Sequence, residues 1–265
     1  MNLLKSILLC FILLINFISN AQITDKNYRI YSVKLGKEVT LTEIAEDMEN
    51  YDVLFFGEEH NDSVTHYLEN KMLEAMFLKF GNDVMLSMEM FDRDVQLVMN
   101  EYLQDFIKEK KFTKDARIWS NYRDYRPMVE FSKKNNLTVV CANAPSRYTN
   151  LAGRKGQSEL KKLSPEAKKY FAPLPYDTAS GKYYDKLMGL THDAVPSKDT
   201  SAFKMPPPPP MFMGGFRLNV AQSLWDASMA YSISEYLKKN KSKKVMQVNG
   251  RFHSCLLYTS DAADE

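Results

Sequence analysis

Two stretches of this sequence, far apart in the chain, share one pattern: an apolar run that ends in Gly-x-x-His. The first is VLFFGEEH, Val53–His60, and the second is VMQVNGRFH, Val245–His253. Apolar runs that stop at polar residues are typical of buried parallel strands. Ligands bind beyond the carboxyl ends of such strands, so we predict that His60 and His253 converge on one site.

The sequence between these motifs alternates between helical and strand-like patterns. Amphipathic spacing predicts helices over 62–80, 94–110, 125–135 and 216–240, and apolar runs predict strands over 84–88 and 137–142. A weak alternation over 28–35 predicts an edge strand. Strand, helix and strand in succession favour right-handed crossovers. We therefore predict an α/β fold, with a parallel-type central sheet flanked by helices.

The first 21 residues have the anatomy of a secretory signal peptide. Lys5 precedes an apolar core, which ends at the small-residue motif Ser19-Asn20-Ala21. The core is too short for a membrane span. Cys10 lies inside it and not at the cleavage point, so a lipid anchor is not indicated. We expect an exported protein, located in the periplasm or cell envelope.

Residues 255–265, CLLYTSDAADE, resemble the translated end of a sequencing adaptor fused after Ser254. We interpret them as a non-native scar, which leaves one domain over 22–254. Cys141 is the one cysteine between the two terminal segments, so a disulfide framework is excluded. The formal net charge of the whole sequence is +2, too mild to indicate nucleic-acid binding.

Residues 148–215 differ in composition from their surroundings. They combine charged helical pieces, scattered prolines and the run MPPPPPMFM over 205–213. The segment has no clear strand pattern. We predict a helical insertion or lid with a stiff polyproline loop.

The residues after the predicted strands are rich in metal ligands and acid–base groups. They are Glu58, Glu59, His60, Glu89, Asn143, Arg147 and His253. Two histidines and a carboxylate suit Zn, Mn or Fe, which predicts His60, Glu89 and His253 as ligands of a divalent metal ion. Glu58 would then activate a metal-bound water.

Simpler roles for these residues stay open. Each could cap a helix or bind buried backbone groups, and for Glu89 this alternative is equally strong. Arg147 could hold a carboxylate or phosphate, or form an internal ion pair with Glu89. His66 and His192 are assigned no role beyond surface or core histidines.

Taken in order, several motifs resemble one family. They are LFFGEEH, SMEMFDRDVQ, Trp119, Tyr125-Arg126-Pro127, CANAPSR, SLWDASMA and NGRFH. The set resembles the ChaN-like haem-binding uptake proteins of the Tiki superfamily, relatives of the erythromycin esterases. The resemblance implies an exported, iron-regulated bacterial haem binder, and the wider superfamily includes metal-dependent hydrolases that use paired GxxH motifs and glutamates.

By this resemblance the shared site maps to Glu58, His60, Glu89 and His253, with Asn143 and Arg147 beside it. We expect the chain to depart from the family pattern in three ways: Arg251-Phe252 replaces small residues before the second histidine, the sequence indicates no lipid anchor, and the insertion has no counterpart that we can place.

Three functions compete at this point. The first is a haem-binding uptake protein, which could associate with an outer-membrane uptake system and form a homodimer. The second is a metal-dependent esterase or peptidase, and the third is an interaction module with a vestigial site. Haem needs an axial donor beside an apolar wall. Candidate donors are Tyr183, Tyr184, His192, Met211 and Met213, while Arg147 or Arg217 could meet the propionates.

Overall fold

The computed structural model describes residues 23–192 and 215–254. Residues 1–21, the run 205–213 and residues 255–265 lie outside these ranges, so the predictions made for them remain predictions. Residues 23–40 belong to a separate unit with a small hairpin, in which β1 (Tyr31–Ser32) pairs antiparallel with β2 (Lys37–Glu38). The edge strand predicted over 28–35 was therefore wrong in length and place. Val33 is 89% exposed, so this stretch has no continuous apolar face to bury.

The main sheet has four strands, and every neighbouring pair is parallel. The strands are β3 (Val53–Glu58), β4 (Val84–Asp92), β5 (Thr138–Asn143) and β6 (Lys244–Gly250), in the order β3-β6-β4-β5. The predicted α/β fold with a parallel sheet is confirmed. The last strand of the described residues, β6, lies in the middle of the sheet, between β3 and β4, which brings the second GxxH motif beside the first.

Ten helices surround the strands in the described ranges. They are α1 (Leu41–Asp47), α2 (Ser63–Phe80), α3 (Gln96–Leu103), α4 (Glu109–Asp115), α5 (Tyr122–Lys134), α6 (Ser146–Lys155), α7 (Gln157–Leu160), α8 (Pro165–Lys168), α9 (Gly181–His192) and α10 (Leu218–Lys239). The single helix predicted over 94–110 is two helices, because Asp105 has a positive φ of 60° that interrupts the helical backbone. Within 23–192 and 215–254, no helix combines the length and apolar character needed to cross a membrane.

Side chains of the strands alternate between two cores, one on each face of the sheet. Leu86 and Met88 of β4 pack in the core that includes Met72 and Met76 of α2. Met85 packs on the opposite face with Ile233 of α10. The sheet therefore has helices on both faces, and residues of odd and even number on one strand meet different helices.

The part of the predicted insertion that is described is helical and packed. Tyr148, Leu160 and Phe171 form a buried cluster with Val220 and Leu224 of α10. These residues belong to the folded domain through their apolar contacts. Where the insertion ends stays a prediction, since residues 193–214 are outside the described ranges.

Candidate functional site

The two GxxH motifs leave the sheet side by side. Glu58 at the end of β3 is in register with Gly250 at the end of β6, and Glu59 Oε1 lies 2.5 Å from Arg251 Nε. The imidazole of His60 covers Gly250 so closely that a Cβ at this position would be 2.8 Å from His60 Nε2. The structure thus brings the motifs together, as the strand-end pattern predicted, and any side chain larger than that of glycine at position 250 would have to displace the ring.

One group of side chains surrounds Glu58. We call Glu58, His60, His66, Glu69 and Tyr125 the Glu58 cluster. His60 Nδ1 donates to Glu58 Oε1 at 2.5 Å, and the Tyr125 hydroxyl donates to the same oxygen at 2.7 Å. His66 Nδ1 lies 3.1 Å from Glu58 Oε2 and 3.1 Å from Glu69 Oε2. Three elements, β3, α2 and α5, supply this cluster.

Burial and hydrogen bonding act against each other in the Glu58 cluster. Burial raises the pKa of Glu58, but its contacts with neighbouring side chains, chiefly His60 and His66, outweigh burial and lower this pKa to about 2. Burial lowers the pKa of His66, and contacts with the two carboxylates outweigh it and raise this pKa to about 10. Burial is also the main reason that the pKa of Glu69 is raised, to about 8.

A second group surrounds Glu89. We call Glu89, His253, Asp226, Gln222 and Tyr183 the Glu89 cluster. Glu89 Oε2 accepts the backbone N–H of Gly250 at 2.8 Å, and Glu89 Oε1 lies 3.4 Å from His253 Nε2. Asp226 Oδ1 is 2.5 Å from His253 Nδ1, and its other oxygen accepts the Tyr183 hydroxyl at 2.6 Å. The Gln222 amide contacts the ring of His253.

Both ring nitrogens of His253 therefore face carboxylates. Burial lowers the pKa of His253, but Glu89 and Asp226 outweigh burial and raise it to about 10. Burial likewise raises the pKa of Glu89, and His253 more than reverses that effect, so that the net shift is downward.

The two clusters lie on opposite faces of the sheet and meet at Gly250. Glu58 shares its face with Leu54 and Phe56, which pack against the core on the α2 side. Glu89 shares its face with Met85, which packs against α10. His60 reaches across the end of the sheet, where its ring lies over Gly250, and Glu89 Oε2 is 3.7 Å from the position of a Cβ there. The candidate site is therefore one continuous polar region built from both layers of helices.

Strand β4 runs further than its apolar pattern predicts. We expected it to end at Met88, but it extends to Asp92, with an irregularity in its pairing with β5 between Met88 and Asp92. Glu89 is therefore inside a strand, with its carboxylate buried at 7% residue exposure. Its hydrogen bond to Gly250 crosses to the neighbouring strand and does not cap the next helix.

The remaining predicted site residues are dispersed. Asn143 is buried and its Oδ1 accepts the N–H of Ala144 at 2.9 Å. Arg147, at the start of α6, pairs with Asp94 at 2.7 Å and not with Glu89. Glu89 faces β6, whereas Asp94 lies in the turn between β4 and α3. Tyr184 is 37% exposed. Met211, Met213 and the side chain of His192 lie outside the described parts of the chain.

A groove lies on the adjoining face of α10. Its volume is about 610 Å³, and its lining residues are Ser146, Arg147, Thr149, Asn150, Arg154, Phe216, Leu218, Ala221 and Trp225. Trp225 Nε1 donates to the carbonyl of Ala144, which fixes the indole beside the end of β5. On α10, Ala221 and Trp225 line the groove, while Gln222 and Asp226, one position further along, serve the Glu89 cluster.

Five residues of the two clusters carry no site role predicted from the sequence: His66, Glu69, Tyr125, Gln222 and Asp226. Their patterns offered weak hints: His66 and Glu69 are three positions apart on one helix face, and Asp226 interrupts an apolar helix face. Neither hint identifies a partner, because the carboxylates and imidazoles that they meet come from distant segments.

The fold and site define a class of protein: an α/β protein with a cluster of polar side chains, the candidate site, at the carboxyl end of a parallel sheet. The solved structure titled "Cofacial heme binding to ChaN of Campylobacter jejuni" is similar in fold, with a TM-score of 0.58 and 14% identity over 84% of this chain and 80% of that one. No curated protein matches the sequence. The family described as "Haem-binding uptake, Tiki superfamily, ChaN" matches residues 44–256, so the chain belongs to this family.

Proposed function

We propose that this protein binds haem and serves haem uptake. The observation that carries the proposal is the groove beside α10, whose lining fits the chemistry of haem. The family is described as haem-binding, and the similar Campylobacter protein binds haem according to its title. Bound haem would supply an iron centre with a strong visible absorption band, which makes the proposal easy to test.

Haem is a flat apolar ring that carries two carboxylates, and the groove offers a partner for each feature. Phe216, Leu218 and Trp225 form an apolar wall. Arg147 and Arg154 supply guanidinium groups, which bind carboxylates through paired N–H donors. Asp94 already offsets the charge of Arg147, whereas the Nε of Arg154 contacts the neutral side chain of Asn150. We therefore expect Arg154 to contribute more to propionate binding.

The axial donor must come from outside the nine residues that line the groove, since none of these is His, Tyr, Met or Cys. Among the predicted donors, Tyr183 is a poor candidate, because burial and Asp226 raise its pKa and disfavour the phenolate. Tyr184 is more exposed. His60 is 40% exposed in its side chain, and its Nδ1 is held by Glu58, an arrangement that suits an imidazole ligand. The predicted roles of Met211 and Met213 stay predictions.

Titration with haemin tests the groove directly. In the wild-type protein we expect a shifted Soret band that saturates at one defined molar ratio of haemin to protein. Arg154→Glu should bind haemin more weakly. Arg123→Glu is the matched control, because Arg123 is 93% exposed and contacts only Asp124, at 3.8 Å, among the ion pairs of the described residues. Equal loss in both variants would mean that general charge, not the groove, attracts haemin. An unshifted band in the wild-type protein would refute haem binding.

The axial donor can be found with the same titration. Deleting residues 202–215 should weaken the shifted band if Met211 or Met213 is the donor. His60→Ala and Tyr184→Phe test the other two candidates. The iron ligand is identified by the variant that shifts the wavelength of the Soret band. A variant that changes only the haemin concentration at half-saturation affects affinity and not ligation.

A metal-dependent hydrolase is the second candidate, favoured by the convergence of Glu58, His60, Glu89 and His253 around Gly250. In this alternative, His60, Glu89 and His253 hold a divalent metal ion and Glu58 activates water. A metal ion at His253 would have to displace a proton, as it would at His66, because a ligand imidazole must be deprotonated. Metal-dependent ester or peptide hydrolysis that is lost in His60→Ala, together with unshifted haemin, would favour the hydrolase.

An uptake role implies export and contact with other envelope proteins. The signal-like segment over 1–21 supports export to the periplasm or cell envelope. An outer-membrane uptake system is the expected partner for haem delivery. A homodimer is supported by the apolar surface beside the edge strand β3, where Phe55 is 53% exposed.

A further inference from the structure

The Glu58 cluster contains a smaller group of three side chains that face one another. Glu58, His66 and Glu69 each present one ligand atom, and these atoms all lie within 4.8 Å of one another. His66 Nδ1 is 3.1 Å from an oxygen of each carboxylate. The side chains of both glutamates are fully buried and that of His66 is 6% exposed. Water therefore does little to screen the charges of this group.

The backbone fixes which nitrogen of His66 carries a proton. His66 Nε2 lies 3.1 Å from the carbonyl oxygen of His60, which can only accept, so Nε2 is the donor. The other nitrogen, Nδ1, faces the two carboxylates. In a neutral ring this nitrogen has a lone pair, and three acceptors would then face one another in a buried space. Such an arrangement is unfavourable unless a cation lies between them.

Two carboxylate oxygens in this group lack a hydrogen-bond partner among the described residues. They are Glu58 Oε2 and Glu69 Oε1. Glu58 Oε2 is close enough to His66 Nδ1 for an ion pair, but the contact does not have hydrogen-bond geometry. Buried polar atoms without partners are rare and often indicate a missing ion or water.

The orientation of His66 and its distances to the two carboxylates suit a metal-binding group. Metal-bound histidines usually donate the second ring N–H to a backbone carbonyl or a carboxylate, as His66 does to His60. Ligand atoms at 2.0–2.2 Å from one ion lie about 3 to 3.5 Å from each other. The two 3.1 Å distances at His66 Nδ1 fall in this range.

We propose that Glu58, His66 and Glu69 form a binding site for one divalent transition-metal ion. One imidazole and two carboxylates suit Zn²⁺ or Mn²⁺. The site differs from the set of His60, Glu89 and His253 predicted from the sequence, and it does not depend on haem binding. Glu58 uses its other oxygen to hold His60, so an ion at this site would also position the His60 ring.

Cobalt binding to the haem-free protein tests the site. After treatment with a chelator and dialysis, we expect wild-type protein to bind one equivalent of Co²⁺ with a visible absorption band. Zn²⁺ should displace the Co²⁺ and raise Tm, since an ion that binds only the folded state stabilises it. These measurements need no variant. Failure of the wild-type protein to bind one equivalent of the ion would overturn the proposal. Protons on His66 and Glu69 would then be the positive charges that separate these buried acceptors.

Variants locate the ion. Glu69→Gln and His66→Gln should lose both the Co²⁺ band and the Zn²⁺-induced rise in Tm while keeping the wild-type circular dichroism spectrum. His253→Gln is the matched control, because His253 belongs to the Glu89 cluster, and it should bind Co²⁺ as the wild-type protein does. Loss of the ion in His253→Gln with retention in Glu69→Gln would place the ion at the sequence-predicted set and refute the proposal. Equal loss in all three variants would also refute it.

Discussion

The chemistry of this site depends on carboxylates that lie against buried imidazoles. Both ring nitrogens of His253 face carboxylates, and His66 Nδ1 faces two. In a buried site such contacts are stronger than in water, so they outweigh the desolvation that would otherwise keep the rings neutral. Among the three histidines whose side chains are described, His60 alone is substantially exposed. It is therefore the imidazole that a ligand as large as haem can reach.

Two tyrosines of α5 provide a test of the hydrogen bond to Glu58. The Tyr125 hydroxyl donates to Glu58 at 2.7 Å, whereas the buried Tyr122 hydroxyl has no hydrogen-bond partner among the described residues. We expect Tyr125→Phe to lower the free energy of unfolding by about 1 to 3 kcal/mol, because a buried carboxylate loses a donor. Tyr122→Phe should change it by less than about 0.5 kcal/mol. Urea unfolding measures both, and equal effects would contradict the assigned role of Tyr125.

The pH dependence of stability reports on His253. Its folded-state pKa of about 10 lies above the ordinary value of 6.5. The proton therefore binds the folded state more tightly, and its stabilising contribution is complete below pH 6.5 and is lost as the pH rises to 10. The slope for one such proton is at most about 1.4 kcal/mol per pH unit.

Asp226→Asn should remove part of this slope. The difference in unfolding free energy between wild-type protein and variant should be largest near pH 6 and should shrink toward pH 10. Urea denaturation at pH 6, 8 and 9.5 measures the difference. His66 titrates in the same window and leaves a residual slope in the variant. A difference that stays constant with pH would show that Asp226 stabilises the fold without the proton on His253.

At the scale of elements, the contact between α6 and the start of α10 builds the groove. The ring of Phe216 lies against Gly153, where a Cβ would be 2.3 Å from the ring. The guanidinium of Arg217 covers Gly156, which has a φ of 86°. The N–H of Arg217 also donates to the carbonyl of Gly153 at 2.8 Å. Gly153 in α6 and Gly156 just after it thus allow the segment before α10 to approach α6 closely.

A double-mutant cycle tests this close approach. Alanine favours a helix over glycine by about 1 kcal/mol, so Gly153→Ala would normally stabilise α6. We expect it instead to lower the unfolding free energy by about 1 to 3 kcal/mol, because the new methyl group overlaps the Phe216 ring. In a Phe216→Ala background the same substitution should be neutral or stabilising. Additive effects in the two backgrounds would contradict the packing that forms this wall of the groove.

At the scale of the whole molecule, the site depends on the order of the strands. Strand β6 follows the other three strands of the sheet in the sequence, yet it lies between β3 and β4 and pairs with both. The residues after it supply Arg251 and His253, and Asn249 Nδ2 donates to Ser254 Oγ at 3.0 Å. The end of the described chain is therefore part of the site and of the sheet.

Two truncations distinguish the contribution of residues 251–254 to stability from that of the adaptor-like segment 255–265. Removing residues 255–265 should leave Tm unchanged, because we interpret them as a scar outside the evolved fold. Ending the chain at Gly250 is the control, and it should lower Tm by several degrees, since the contacts of Arg251, His253 and Ser254 are lost. A marked fall in Tm with the first truncation would show that residues 255–265 support the fold.

The sequence alone determined the parallel α/β sheet and the meeting of the two GxxH motifs. Apolar runs that stop at Gly57 and Gly250 identify buried strands, and the carboxyl ends of parallel strands share one edge. Local patterns were less informative where the backbone departs from regular geometry. The positive φ of Asp105 divides a helix, and the irregular pairing of β4 carries that strand past Glu89.

Only the tertiary structure decided which residues bind one another. His66 meets Glu58, Asp226 meets His253, and Arg147 meets Asp94 and not Glu89. Each pair joins side chains from different elements, so its distance depends on how helices pack on the sheet and not on any local spacing. Burial is also a property of the packed fold, and burial makes these contacts strong enough to set the charge of each histidine.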